Sequence, residues 1–573
     1  MIENLLLDMQ QSSLCDRMNL EEIVLRHAIK NALLYNGKAN SKAVLGKVLA
    51  ENPDLKEKIK DVIETTNEIV GRINSMNLEE IRELAKKLGI TIERKRGEDK
   101  VELPPLPDAE EGKVVMRLAP FPSGALHIGN ARMIILNDEY VKRYKGKLIL
   151  FFDDTIGSEN KPVIPEAYDL IVDGLKWLGV KWDETYYKSD RLEIYYKYAE
   201  DLLRMGKAYV CTCPPEELRK NRKLGIECAC RKRSIEENLK LWKKMLNGEF
   251  REGEAVVRIK TDMKHPDPAF RDRVLLRISE REHPRVGRKY RVWPMLEFSW
   301  AIDDYLIGTT HILRGKELVI EDKMEEFIWN VFGWKKKAHF IHYGMLSIEG
   351  IKISKSESRK AIERGEYIGW DDPRTWSLQS LKRRGIRPEA VRKFVLRMGL
   401  SLADIKIPAE ILYSENRKII DRVANRYFAV LNPIEIKLEN ITSEMARVPF
   451  HPDFPERGVR EIKVTKTLFI EKDDFEKLRG KEVGLIYLGT VRLDKTSEFI
   501  SKEIDIKLPK IQWVPEKFVK IEIFMPNGKI ISGIGEPELL NTKVDDVIQL
   551  VRIGFCRVDE IKDDKVILFF AHK

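Results

Sequence analysis

The sequence predicts a multidomain chain built around an α/β domain with a doubly wound parallel sheet, preceded by a helical module and followed by an all-β region. Three observations carry this. Strand and helix patterns alternate from residue 113; the alternation is interrupted between about 210 and 291; and after Pro433 the apolar residues fall into short strand-like runs. A length of 573 residues exceeds what one core usually supports and is enough for roughly four to five domains.

Taken in order, residues 1–100 carry helix-period patterns, such as Ile23, His27, Ala28 and Leu34, then Leu78, Ile81, Leu84, Ala85 and Leu88. Residues 101–112, with Pro104, Pro105 and Pro107, read as a linker that cannot sustain regular structure. Residues 113–209 give a strand at 113–118, a helix at 127–144, a strand at 148–152, and helices at 165–178 and 191–206. The stretch 210–291 breaks this rhythm with cysteines, a helix near 235–247 and strands at 255–260 and 274–278, so it reads as an insertion into one nucleotide-binding domain. Residues 292–370 resume the α/β pattern and end in the loop Lys352-Ile-Ser-Lys355-Ser356. Residues 371–430 are helical, with Leu378, Leu381, Val391, Phe394, Val395 and Met398 at helical spacing. Residues 431–573 hold strand-like runs divided by turns such as Pro526-Asn527-Gly528, as expected of one barrel or a pair.

Composition narrows the class. The chain has 102 Lys plus Arg against 92 Asp plus Glu, a net charge of +10, which suits either a salt-bridged surface or a polyanionic partner. A start of Met1-Ile2-Glu3-Asn4-Leu5 does not support a signal or transit peptide, and no apolar run approaches the ~20 residues of a membrane span. A cytoplasmic protein without a membrane partner is the expectation. Six cysteines in such a chain do not make a disulfide scaffold. Four of them form two close pairs, Cys211/Cys213 and Cys228/Cys230, with fourteen residues between the pairs. That pattern suits a tetrahedral structural zinc with no open position, with free thiols as the alternative reading.

The run Arg117-Leu-Ala-Pro-Phe-Pro-Ser-Gly-Ala-Leu-His127-Ile-Gly129-Asn130 follows a predicted strand and opens a predicted helix. Such a strand-turn-helix unit offers unpaired N–H groups to a triphosphate, and Gly129 has no side chain to obstruct it. This run, then Asp153-Asp154-Thr155, Arg314-Gly315-Lys316-Glu317, Lys352 to Ser356, Asp371-Asp372-Pro373-Arg374-Thr375 and Leu381 to Ile386, in this order, resembles the glutamyl/glutaminyl branch of the class I aminoacyl-tRNA synthetases. The stretch Asn31 to Asn40 is similar to the appended domain of archaeal-type glutamyl enzymes.

The resemblance implies a Rossmann-like catalytic domain with an acceptor-binding zinc-knuckle insertion, a helical stem-contact region and all-β anticodon-binding barrels. It implies ATP-dependent activation of glutamate to glutamyl-adenylate, with Mg2+ accompanying ATP, and transfer to the 3′ end of tRNA(Glu), either alone or together with tRNA(Gln). His127 and Asn130 would donate to phosphate oxygens, Lys355 would neutralise charge on departing pyrophosphate, and Lys352 would be a second, weaker cation. Asp153 would receive the α-ammonium of the amino acid and Arg117 would contact it. Arg314 would clamp the γ-carboxylate, a cation that a site for neutral glutamine has no use for.

The chain departs from the family at Asn130, where His is usual, at Leu296, where Tyr is frequent, at Trp300, where His or Asn is frequent, and at Phe151, where Arg is usual. Rival readings are a glutaminyl enzyme, a smaller nucleotidyltransferase with a similar loop, and a catalytically silent tRNA-binding relative.

Overall fold

The computed structural model describes residues 15–34, 37–52, 55, 58–88, 90, 103–156, 158, 161–335, 338–441 and 445–573. These fall into two compact units, 1–100 and 101–573. Residues 91–100 of the expected helical module, and 101–102 of the expected linker, lie outside the described residues.

In the first unit, helices Cys15–Leu34, Ser41–Glu51, Ile59–Ser75 and Leu78–Lys87 bury Val24, Ala28, Val62, Ile73, Ile81 and Leu84 in a core of their own. Asn40 caps the second helix by accepting from the Ala43 N–H at 3.1 Å. Asn74 takes the Ala39 N–H at 2.6 Å and donates to the Ala39 carbonyl at 3.0 Å, which fastens the Gly37–Asn40 turn to the third helix.

In the second unit, strands Val115–Leu118, Lys147–Phe152 and Glu184–Tyr187 run parallel, and His311–Gly315 pairs in parallel with His339–Tyr343. Thr310 joins the two halves by donating its N–H to the Val115 carbonyl at 2.9 Å. The chain therefore leaves the central strand Val115–Leu118 in one direction and returns on its other side, and the ends of these strands frame a crevice suited to a ligand. Glu184–Tyr187 was not foreseen: its four residues, Glu-Thr-Tyr-Tyr, are too few to show a period. Residues 103–112 form no helix or strand, yet Leu103 and Leu106 are buried and the Tyr140 hydroxyl donates to the Pro104 carbonyl at 2.9 Å.

The interrupting segment supplies an antiparallel sheet of Ala208–Cys211, Val256–Ile259, Val274–Ile278 and Val292–Pro294. It shares one core, including Trp242, Trp293 and Trp329, with helices Leu192–Arg204, Leu296–Leu306 and Val319–Val331. Helices Lys355–Glu363, Leu378–Arg383, Pro388–Met398 and Ala409–Ile420 follow.

The described part of the β region holds a two-stranded ribbon of Met445–Pro449 with Val459–Lys463 and two seven-stranded sheets. One begins with Arg426–Tyr427 and ends with Ala429–Val430, separated by Phe428 alone, so its two edges meet; the other is bounded in the same way by Lys510–Ile511 and Val514–Pro515. Bringing both edges to adjacent residues closes each sheet into a barrel-like form. Arg383 ties the helices to the first barrel through Asp559 at 2.7 Å, and Arg384 donates to the Ala571 carbonyl at 2.8 Å.

Candidate active site

The nucleotide end is built on helix Ile128–Arg143, whose N-cap is His127. Gly124 makes the preceding turn at φ +140°, and a Cβ there would lie 2.2 Å from the Trp370 ring. Only a glycine lets the chain pass beneath that indole. The Ile128 N–H bonds to the Trp376 carbonyl at 3.1 Å and the Leu378 N–H to the Leu126 carbonyl at 2.7 Å. The stretch Asp371–Ser377 thus clamps the signature from behind, with Trp376 itself in the left-handed region at φ +53°.

His127 and Asn130 form a capping box. The Gly129 N–H donates to His127 Nδ1 at 3.1 Å, and Asn130 Oδ1 accepts the His127 N–H at 3.1 Å. With Nδ1 as acceptor, the neutral ring carries its proton on Nε2, which is then the donor available to a phosphate. Burial, reinforced by the Lys355 charge, lowers His127 to about 3, so the ring works as a neutral donor at physiological pH. Asn130, where His is usual, uses its oxygen for the cap and keeps its amide N–H2 as a donor.

Lys355 is the first residue of helix Lys355–Glu363, capped by Ser354, and its charge is felt at His127. Desolvation and the like charge of Lys161 lower its ammonium to about 8. The charged form is present below that value and is lost as pH rises through it. Accordingly a step that draws on this cation should slow as pH rises through about 8, and Lys355→Arg should move that limb upward; a pH–rate profile of both proteins checks this. Lys352 stands apart, exposed and paired with Glu357 at 2.6 Å.

The register of the sheet explains the second cluster. Arg117 pairs with Ile149, Ile149 with Glu184 and Phe152 with Tyr187. Side chains alternate along strands, so Arg117, Phe151, Asp153, Tyr186 and Lys188 share one face. Helix Leu296–Leu306 covers it and sets the Trp300 indole 3.6 Å from the Arg117 guanidinium and 3.7 Å from the Lys188 ammonium. Phe151 meets Trp300 edge-on, with ring centroids 5.0 Å apart. The same helix supplies acids: Asp304 takes Arg117 through two bonds of 2.7 and 2.6 Å, and Asp303 takes Arg191 at 2.7 Å and the Tyr195 hydroxyl at 2.5 Å.

Arg314, at the end of its strand, is buried between two acids of helix Val319–Val331. Its Nη1 donates to Glu325 at 2.8 Å and its Nη2 pairs with Asp322, which also holds His342 at 2.5 Å. Burial pushes the Glu325 carboxyl upward against the pull of Arg314. Arg314 is thus held by Asp322 and Glu325 together and does not stand free.

The third cluster is the cysteines. Sγ atoms of Cys211 and Cys228, and of Cys213 and Cys230, are 3.8 Å apart, and all four lie within 4.8 Å of one another. Thiolates ~2.3 Å from a tetrahedral zinc are about 3.8 Å apart, so these residues can hold that ion. Buried Arg258 sits 3.8 Å from the sulfurs of Cys211 and Cys228, a counter-charge suited to a site with four thiolates.

The structure thus brings together His127, Gly129, Asn130 and Lys355, and separately Arg117 and Asp153. Sequence reasoning missed Lys188, Arg191, Asp303, Asp304, Asp322 and Glu325. The i, i+3 acids Asp322 and Glu325 were a signal, since they fall on the helical stripe that carries Ile328 and Trp329, where solvated acids do not fall.

Comparisons with known proteins give the family of the chain. Residues 113–421 match the family described as tRNA synthetases class I (E and Q), catalytic domain; 424–508 and 510–559 match its two anti-codon binding domains. The chain is 47% identical over 576 residues to the glutamate–tRNA ligase of Pyrococcus furiosus, covering 97% of this chain and 100% of that one. It is 43% identical over 565 residues to the ligase of Methanocaldococcus jannaschii, with the same shares. Among solved structures, a glutamate tRNA ligase from Elizabethkingia meningosepticum in complex with its amino acid aligns with a TM-score of 0.39 at 20% identity, over 55% of this chain and 70% of that one.

Proposed function

This chain belongs to the class I tRNA synthetases of the E and Q branch, and from that membership and its site we infer that it is an enzyme that ligates glutamate to tRNA. Glutamate attacks the α-phosphate of ATP through its α-carboxylate, giving glutamyl-adenylate and pyrophosphate. A terminal ribose hydroxyl of tRNA(Glu) then attacks the acyl carbon and releases AMP. The observation that supports this most is the joining of the His127–Asn130 cap to Lys355 at the carboxyl ends of parallel strands.

Bringing a carboxylate anion against a triphosphate needs donors and cations that are in place beforehand. His127 Nε2–H and the Asn130 side-chain amide supply donors without adding a titrating charge. Lys355 supplies the cation for the leaving pyrophosphate, with magnesium accompanying ATP. Asp153 receives the α-ammonium, Arg117 orients the amino acid, and Arg314, balanced by Asp322, meets the γ-carboxylate. Glutamate-dependent exchange of pyrophosphate into ATP tests the first step, and no exchange in the presence of tRNA would contradict it.

The barrels carry exposed aromatic rings suited to stacking on splayed anticodon bases: Tyr487 at a hairpin tip and Phe518 are 45% and 38% exposed. tRNA(Glu) is the acceptor of this reading, and charging of tRNA(Gln) by the same protein is what comparison of the two charged species decides. No described helix is long and apolar enough to cross a membrane. The cytoplasm, where tRNA is charged, is the setting of this reading.

Zinc on Cys211, Cys213, Cys228 and Cys230 supplies a structural cross-link that holds the end of strand Ala208–Cys211 against the Cys228–Cys230 turn. The purified protein should contain about one zinc per chain, and Cys228→Ser should lose it and impair tRNA charging more than pyrophosphate exchange. Metal analysis with both assays checks this; full charging by zinc-free protein would contradict it.

A further inference from the structure

The Lys188 side chain is wholly buried, yet it is the most expensive kind of group to bury, and it lies beside the acid assigned to the substrate's ammonium. Its position follows from the fold. Phe152 and Tyr187 are register partners, so the residues that follow them, Asp153 and Lys188, emerge side by side on the crevice face. The ammonium lies 3.3 Å from Asp153 Oδ1, donates to Ser299 Oγ at 2.5 Å and packs on the Trp300 indole at 3.7 Å. Burial lowers the pKa of this ammonium, and the acid Asp153 beside it, with the aromatic face of Trp300, favours its charged form against that burial.

The pairing of the neighbouring ions is uneven in a way that matters. Arg117 has Asp304, Arg191 has Asp303 and Arg314 has Asp322, each an acid without a further assigned role. Of the acids that act on Lys188, Asp303 is already paired with Arg191, and the other, Asp153, is the one the proposed reaction commits to the substrate. When the α-ammonium arrives, Asp153 is shared, and the positive charge of Lys188 is left to be balanced by what the amino acid brings. Glutamate brings a second carboxylate; glutamine does not.

We propose that Lys188 is a specificity-determining residue for glutamate over glutamine, acting by charge from beneath Asp153 and Trp300 rather than by touching the side-chain carboxylate. In the empty site it also keeps the buried Asp153 carboxylate paired. The inference rests on the glutamate-activating reading above. It distributes the choice of amino acid over Lys188 as well as Arg314, whose own charge is already met by Asp322.

The test is pyrophosphate exchange by the full chain, measuring KM for glutamate and the inhibition constant of glutamine in wild type, Lys188→Met and Lys188→Arg, with melting curves for each. Removing one positive charge should raise KM for glutamate about tenfold or more while moving the glutamine constant less than about threefold. Lys188→Arg should restore most of the preference. A structural role alone would weaken both amino acids equally, and equal changes in Lys188→Met overturn the proposal. Should Lys188→Met not fold, Lys188→Gln keeps a donor beside Ser299 and Asp153 without the positive charge; a lost glutamate-to-glutamine preference supports the charge account and an unchanged ratio overturns it. Absence of glutamate-dependent exchange in the wild type would instead overturn the underlying reading of the reaction.

Discussion

Lys355→Ala should lower glutamate-dependent pyrophosphate exchange by about 10²–10³-fold while leaving tRNA affinity within about twofold. The separation follows from where the residue sits. Lys355 opens helix Lys355–Glu363, and Ser354 still caps that helix after the change, since alanine is a good helix former at its first position. What disappears is a cation next to His127, in a site too desolvated for solvent to replace it. Melting temperature should therefore hardly move, and the loss should fall on the activation step. Filter binding of tRNA beside exchange assays measures both. Equal loss of tRNA affinity and activation would contradict the role given to this loop.

Arg314→Gln should cost both activity and stability. The substitution leaves Asp322 and Glu325 buried without their guanidinium, and breaking such a pair from one side costs about 3–5 kcal/mol. Burial already raises Glu325, and Asp322 retains His342 as a partner. The γ-carboxylate meanwhile loses a cationic partner, and kcat/KM for glutamate should fall about 10²-fold or more. A thermal melt together with glutamate kinetics checks this. A variant that melts lower but keeps its KM for glutamate would assign Arg314 to the protein's framework alone.

The parts of the site that could be read from sequence are those whose chemistry depends on neighbours in the chain. The prolines and Gly124 mark a sharp turn, His127 and Asn130 are three apart and able to cap one helix, and the cysteines come in close pairs with a fixed gap. The unreadable parts depend on register and on helices arriving from far along the chain. Lys188 follows a four-residue strand and looks like any surface lysine until its pairing with the Asp153 strand places it inside. Asp304 reaches Arg117 across 187 residues, which no local pattern reports. The departures at Phe151 and Trp300, seen in sequence as separate oddities, become one packed unit, because their rings meet on the face that carries Arg117 and Lys188. The fold was more legible than the site for the same reason: alternation and helical spacing are local, and ion-pair choice inside a closed face is not.

The most direct test of the central claim is aminoacylation of total tRNA with ATP, magnesium and labelled glutamate or glutamine, followed by identification of the charged species. Transfer of glutamate to tRNA(Glu), with no transfer of glutamine, is the predicted result. Transfer of glutamine, or retention of tRNA binding with no transfer of either amino acid, would contradict the account.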